Sequence, residues 1–465
     1  MKRSIAALLW LAIVVVLVAN SAQFFFHQPY HEWWDSAADS LSIIRAKQFA
    51  QLYGSYSQWQ FHHPGPAFFY LHALGEWILF DLLGIAPAPF NAQVLIHVCF
   101  MTGILVAALR VFTHWLPVRC RYWFLPLCLG LAVVHFTSAS AIPSFFDVLL
   151  GPHAVFSKWT PHALALLLLC LLTAAASVAA GRGEELPLMV IAGGFLVHAH
   201  VAQPLFVAPV ALAAYGGLLA NCNRRLHGVE PSRAMWPRRL AQWLSAAVRA
   251  CPRTHLIALG LLALFVLPLV LDLVRGSDSN FSAVLRHLRE HHGERKTFAR
   301  SLLYFLQFGA YAPYEPRAWH FAGYDRAGVA NYFANHAAIY AAWAFTALVA
   351  LTPLAQSIWT PGHRDRDTHR FGDRRRSQAG AAQYLAWCGA FLTLALGLTV
   401  LWGCIQDGRM FYYNGWFNFG IYYFAGILAA AVIAQRLTLP TRWRMAAEVS
   451  RTFAALPSAA LVIVC

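Results

Sequence analysis

The chain has 465 residues, of which 59% are hydrophobic and only 12% charged, with 35 Lys and Arg against 20 Asp and Glu. Soluble domains carry about a quarter charged residues, so this balance excludes a water-soluble globule and a disordered chain and indicates a polytopic membrane protein. The nine cysteines lie mostly inside apolar runs with no CxxC pair, which excludes a disulfide scaffold.

Met1-Lys2-Arg3 followed by apolar residues to position 22 reads as an uncleaved first transmembrane helix. Further apolar stretches, each near the length needed to cross hydrocarbon, cover 93–112, 123–141, 161–180, 187–200, 203–220, 255–273, 337–358, 383–404 and 416–435. A last run from 452 stops at Cys465, short of a full span. The expectation is an all-α fold with about eleven transmembrane helices. The apolar segment 66–85 holds Glu76 and Asp81, and is expected along the interface instead.

Basic residues set the orientation. Most Lys and Arg fall in loops that this assignment places inside, including Arg238-Arg239 and Arg374-Arg375-Arg376 in 359–380, as the positive-inside rule requires. The net charge of +15 is thus a matter of topology, and no nucleic-acid partner is indicated. The chain divides into a first span (1–22), an outer loop (23–92), spans two to seven with basic inner loops (93–273), an outer loop (274–336) and C-terminal spans (337–465). The N-terminus is then cytoplasmic.

Asp35 and Asp39 open a segment whose apolar residues Leu41, Ile43, Ile44, Phe49 and Leu52 follow roughly helical spacing, which predicts an interfacial amphipathic helix. Asp35 suits an N-cap and Asp39 lies one turn later on the same face. On spacing alone, capping plus a solvated face is the simpler account of both. The loop continues through Tyr53-Gly54-Ser55-Tyr56-Ser57 and Phe61-His62-His63-Pro64-Gly65-Pro66 into an aromatic run.

These residues resemble the GT-C superfamily of polyprenyl-phosphate-sugar-dependent membrane glycosyltransferases, which includes protein O-mannosyltransferases and the aminoarabinose transferase of lipid A. The similarity is to a bacterial branch whose first loop carries Asp-x-Ala-x-x-x-Leu, Gly-x-Tyr-Ser and His-Pro-Gly-Pro, matched here by Asp35, Ala37, Leu41, Gly54, Tyr56, Ser57 and His63 to Pro66. Trp159-Thr160-Pro161, Gly194-Phe195, His200-Val201 and the set Pro268, Asp272, Gly276 and Asn280 extend it over roughly 20–285. Many relatives have Asp-Glu where this chain has Asp35-Ser36 or Asp39-Ser40, and some have Lys in place of His63.

The resemblance implies a cell-envelope transferase of the bacterial inner membrane, acting on its outer face. It would take a polyprenyl-phosphate sugar as donor and a glycan, lipid or protein as acceptor. Asp35 or Asp39 is then the general base, and Arg45, Tyr56, His62, His63, His200, Asp272, Arg275 and Asn280 are the substrate-binding candidates. No cofactor or metal ligand set is assigned, and a divalent metal requirement stays open. Lys47 and Arg317 are further outer cations suited to the leaving phosphate, although a basic residue beside a bilayer commonly snorkels.

Asp272 near the end of an apolar helix reads either as functional or as a cap or partner of Arg275. Asp147 is a similar case. His287-Leu288-Arg289-Glu290-His291 fits H-x-x-E-H, but a solvated amphipathic helix explains it better. The competing functions are a transporter or flippase for a lipid-linked or small substrate, and a non-catalytic envelope assembly factor. A transporter would use charges and broken helices at mid-depth.

Overall fold

The computed structural model describes residues 3–436 apart from 33, 58, 141–156, 228–235, 277–278, 291–294, 313, 315–319, 322–325, 360–372 and 407–409. Asp147, Arg317, His291 and the apolar run from 452 therefore lie outside the described residues.

The described chain is all-α apart from a two-residue antiparallel ladder, in which His320 and Phe321 pair with Phe411 and Met410. Among the described residues seven helices are long and apolar enough to cross a membrane, against the eleven or so spans read from the sequence. They are Pro89–Trp115, Thr160–Ala179, Pro204–Arg224, Pro252–Leu273, Ala337–Ile358, Ala379–Ile405 and Tyr412–Arg436. Of the remaining expected spans, Ser4–Asn20 and Trp123–His135 are apolar helices of 10–17 residues, and Leu186–Ala199 has 14 residues. The protein is an integral membrane protein.

The helices that position the site are α1 (Arg3–Asn20), α2 (Trp34–Lys47), α3 (Ala67–Gly75), α4 (Pro89–Trp115), α5 (Val118–Ser140), α6 (Thr160–Ala179), α7 (Leu186–Ala199), α8 (Pro204–His227), α9 (Trp236–Ala250), α10 (Pro252–Leu273) and α11 (Asn280–Glu290). Helix α6 is apolar on every side, which suits it either to a protein core or to lipid. It forms the axis of the bundle, with His162 to Ala179 buried throughout, and packs against α4, α7, α8 and the last two long helices, Asp373–Ile405 and Asn418–Arg436. By contrast α10 and Ala337–Ile358 leave nearly all of their apolar surface exposed, the arrangement of helices that face lipid tails.

Segment 66–85 forms α3 and a π-helical continuation, Glu76–Leu82, packed on α4. It meets α4 in antiparallel register, with His72 opposite His97 and Glu76 opposite Gln93. Positions 72 and 76, and likewise 93 and 97, are one helical turn apart, so two polar rungs stack between the helices.

Candidate functional site

Ile43 and Ala46 form the buried stripe of α2, set against Phe69 and Ala73 of α3. Asp39 lies one turn before Ile43 on that stripe, so the packing that buries the apolar residues also turns this carboxylate inward. Asp35, a turn earlier, is exposed and lies close to Tyr413.

The chain after α2 doubles back as a short hairpin. The Gly54 N–H donates to His63 O at 2.8 Å, the His63 N–H to Ser55 O at 2.8 Å, and the Ser57 N–H to Phe61 O at 2.8 Å. This pairing aims the Ser55 hydroxyl at Asp39, whose Oδ1 accepts its hydrogen bond at 2.8 Å. Tyr56 is exposed at the hairpin tip.

Between α2, α3 and α4 lies a group of charges in which Lys158 and Glu76 are buried. Lys158, 4% exposed, donates to Gln93 Oε1, and the Gln93 amide nitrogen donates in turn to Glu76 Oε1 at 2.6 Å and Glu32 Oε1 at 3.3 Å. Ser40 Oγ also donates to Glu32, at 2.8 Å. Lys47 bridges Glu76 at 3.1 Å and Asp81 at 2.5 Å, so this cation is committed to neighbouring acids rather than open to a ligand. Burial raises the Asp39 carboxyl to about 6, against the smaller lowering effects of the Lys158 charge and the Ser55 hydrogen bond. Burial likewise lowers the Lys158 amine to about 8, although Asp39, Glu32 and Glu76 act to raise it.

The other candidates from the sequence come together around the hairpin, mostly as fasteners. Asn280 uses its whole amide on the backbone of His62, its Oδ1 accepting from the His62 N–H at 2.6 Å and its Nδ2 donating to His62 O at 2.8 Å. Asp272 is buried and caps α11, accepting from the backbone N–H groups of Asn280 at 3.2 Å and Phe281 at 3.1 Å. Gly276 makes that reversal practicable, because its φ of +67° is a left-handed conformation that side chains disfavour. Asp272 therefore acts as a cap and forms no ion pair with Arg275, which is exposed.

Arg45 is exposed and close enough to His62 to disfavour its protonation. His63 and His200 stack with ring centroids 4.7 Å apart, and their Nδ1 atoms accept from the backbone N–H groups of Val201 at 3.4 Å and Ala202 at 3.1 Å. Burial holds both rings below their ordinary range, His200 at about 4, so both are neutral at pH 7 and present Nε2–H as a donor. His287 packs its ring 5.1 Å from Trp59 and 5.2 Å from Phe61, so the H-x-x-E-H stretch begins as part of the support for the hairpin. Among the described residues no three His, Cys, Asp or Glu side chains are placed to hold a metal ion.

Replacing Asn280 by Ala is expected to strip both hydrogen bonds from the His62 backbone and cost about 1–3 kcal/mol. Thermal unfolding in detergent and faster proteolysis in 48–66 would register it, whereas an unchanged melting curve and cleavage pattern would refute the fastening role.

Sequence reasoning missed Lys158, Gln93, Glu32 and the inward role of Glu76. Lys158 did carry a signal, because a charge directly preceding a long apolar helix must find a buried partner or reach the interface. Gln93 carried none, being one uncharged residue in an apolar run. No known family, curated protein or solved structure matches the chain in any of the comparisons made.

Proposed function

We propose that the chain is a GT-C-type glycosyltransferase that moves a sugar from a polyprenyl-phosphate carrier to an envelope glycan, lipid or protein acceptor. Its site would face the outer side of a bacterial inner membrane, with the N-terminus cytoplasmic. Asp39 takes the proton of the acceptor hydroxyl as that oxygen bonds to C1 of the sugar. The bond from C1 to the phosphate oxygen breaks on the opposite side, and the lipid phosphate leaves as an anion. A group that stays ionised at neutral pH yet binds a proton readily suits this task. The observation that carries the proposal is therefore Asp39 itself, partly buried, fixed by Ser55 and raised to about 6. Asp35, exposed near Tyr413, is better placed to meet the sugar.

One observation favours transport instead. Below the Glu76–Gln93 rung, buried His72 and His97 form a second polar layer inside the helices, near His162, and intramembrane polar groups commonly line substrate paths. The discriminating experiment is mass spectrometry of envelope glycans from a strain lacking the gene and complemented with wild type, Asp39→Asn or Asp35→Asn. Membrane expression is measured alongside. Loss of a sugar with expressed Asp39→Asn supports transfer, whereas full restoration by both variants moves the transporter and assembly readings ahead.

A further inference from the structure

A buried polar atom without a hydrogen-bond partner is rare in a folded chain, and each one calls for a ligand, a water or another reason. His162 has two. It stands in the first turn of α6, is 6% exposed, and among the described residues neither of its ring nitrogens has a partner. An uncharged imidazole carries one N–H donor and one lone-pair acceptor, so both capacities are idle. The Tyr412 hydroxyl, on a side chain also 6% exposed, is likewise without a partner among the described residues.

These two groups flank one indole. The Trp416 ring lies 4.3 Å from that of His162 and 6.0 Å from that of Tyr412, centroid to centroid. Trp159, the N-cap of α6, stands edge-on to His162 at 5.0 Å and lies 5.4 Å from Tyr413. Trp416 and Tyr412 are buried whereas Trp159 and Tyr413 are partly exposed, so the aromatic set runs from the surface down to His162. Packing fixes its inner half. Phe308 stacks on Tyr412 at 4.5 Å, and Gly420 lets the helix Asn418–Arg436 close on α6, since a Cβ there would run into Ala165 O. Trp159 also follows Lys158, whose partner Gln93 donates to Ser40 at 3.5 Å, so hydrogen bonds tie the set to the turn of α2 that bears Asp39.

We infer that Trp159, His162, Tyr412, Tyr413 and Trp416 form a subsite for the ring of a neutral sugar. A pyranose offers faces of C–H bonds that pack on aromatic rings and a rim of hydroxyls that both donate and accept. Aromatic walls with a few polar groups are the usual make-up of a small-molecule site. None of the five residues carries a fixed charge, which suits an uncharged ligand. Trp159, edge-on to His162 and partly exposed, is the ring that moves to admit the sugar. That this sugar is the group transferred rests on the transferase reading; the binding itself does not.

Saturation-transfer NMR on the protein in nanodiscs reads binding without donor or acceptor. The probes are the methyl glycosides of glucose, galactose, mannose and arabinose, with glucuronate as the charged control. At least one neutral glycoside should show saturation at its ring C–H protons, and glucuronate none. In His162→Leu that glycoside should bind about tenfold more weakly, as for the loss of one hydrogen bond, and Trp159→Ala should weaken it as well. His162→Leu should melt no lower than wild type, because it removes two idle polar atoms from the interior.

No saturation with any neutral glycoside overturns the inference, as does equal saturation of glucuronate. Unchanged binding in both variants also overturns it, and leaves His162 with water only. If His162→Leu does not fold, Trp159→Ala decides alone. Glycoside binding weakened in the variants, together with normal glycans in Asp39→Asn, would keep the subsite and remove the transferase reading. Lost glycans in Asp39→Asn without any glycoside binding would do the reverse.

Discussion

Asn in place of Asp39 is expected to lower sugar transfer by about 10²–10⁴-fold, the usual contribution of a positioned general base. The protein should remain folded, because Asn keeps the shape of the side chain and can still accept from Ser55. Wild-type activity should fall about tenfold per pH unit below pH 6, where Asp39 binds its proton, and level off above it. The same substitution should raise stability. The folded carboxyl is at about 6 against an ordinary 3.8, so the folded protein holds the proton more tightly than the unfolded chain. The Asp39 contribution to stability is therefore full at low pH and is lost as pH rises from 3.8 through 6. Above that range Asp39→Asn should be more stable than wild type by about 1–3 kcal/mol, and the two should converge below pH 4. Thermal melting in detergent at pH 4 and pH 7.5 checks this. A variant that melts lower than wild type at pH 7.5 would mean that the ionised carboxylate stabilises the fold, and the base assignment would lose its physical footing.

Gly65→Ala should have the largest structural effect of any single methyl at the site. A Cβ there would lie 2.3 Å from Cγ and Nδ1 of His198, and that ring cannot withdraw. Its Nε2 is hydrogen-bonded to Phe265 O at 2.7 Å, and it packs edge-on against Phe265 at 5.1 Å. The Gly65 N–H also donates to His198 O at 3.2 Å, so the backbone has no slack. Overpacking of this kind costs about 1–3 kcal/mol. The hairpin must shift with it, taking Ser55 away from Asp39, and a displacement near 1 Å can cost about 10² in rate. Gly216→Ala on α8 is the control, because nothing lies within 4 Å of its added Cβ. There a small gain of up to about 1 kcal/mol is expected from helix propensity alone. Equal melting temperatures in the two variants would refute the account of Gly65.

Composition and hydropathy sufficed for the membrane class, because about 20 apolar residues in a row have few other uses. They were weaker on the number of crossings. Ser4–Asn20, Trp123–His135 and Leu186–Ala199 are apolar but short, and their length does not establish that they cross. The helix after Asp35 was legible, but not its buried face: of the apolar residues read as a stripe, Ile43 is buried, Leu41 and Ile44 are exposed, and Phe49 and Leu52 lie beyond its end at Lys47. Asp272 was legible as a residue that needed a partner, but its partners are backbone N–H groups of α11, which spacing does not announce.

The sequence by itself determined the membrane class of the protein, the presence of a helix after Asp35 and the set of residues around the first loop, because these follow from local pattern and from the cost of burying charge. Only the tertiary structure decided what those residues do. It made Asn280 and Asp272 fasteners, committed Lys47 to Glu76 and Asp81, and joined Lys158 to Gln93, 65 positions away along the chain. Charges act on one another through space, and their distance in space is set by how the helices pack around α6, which no local pattern records.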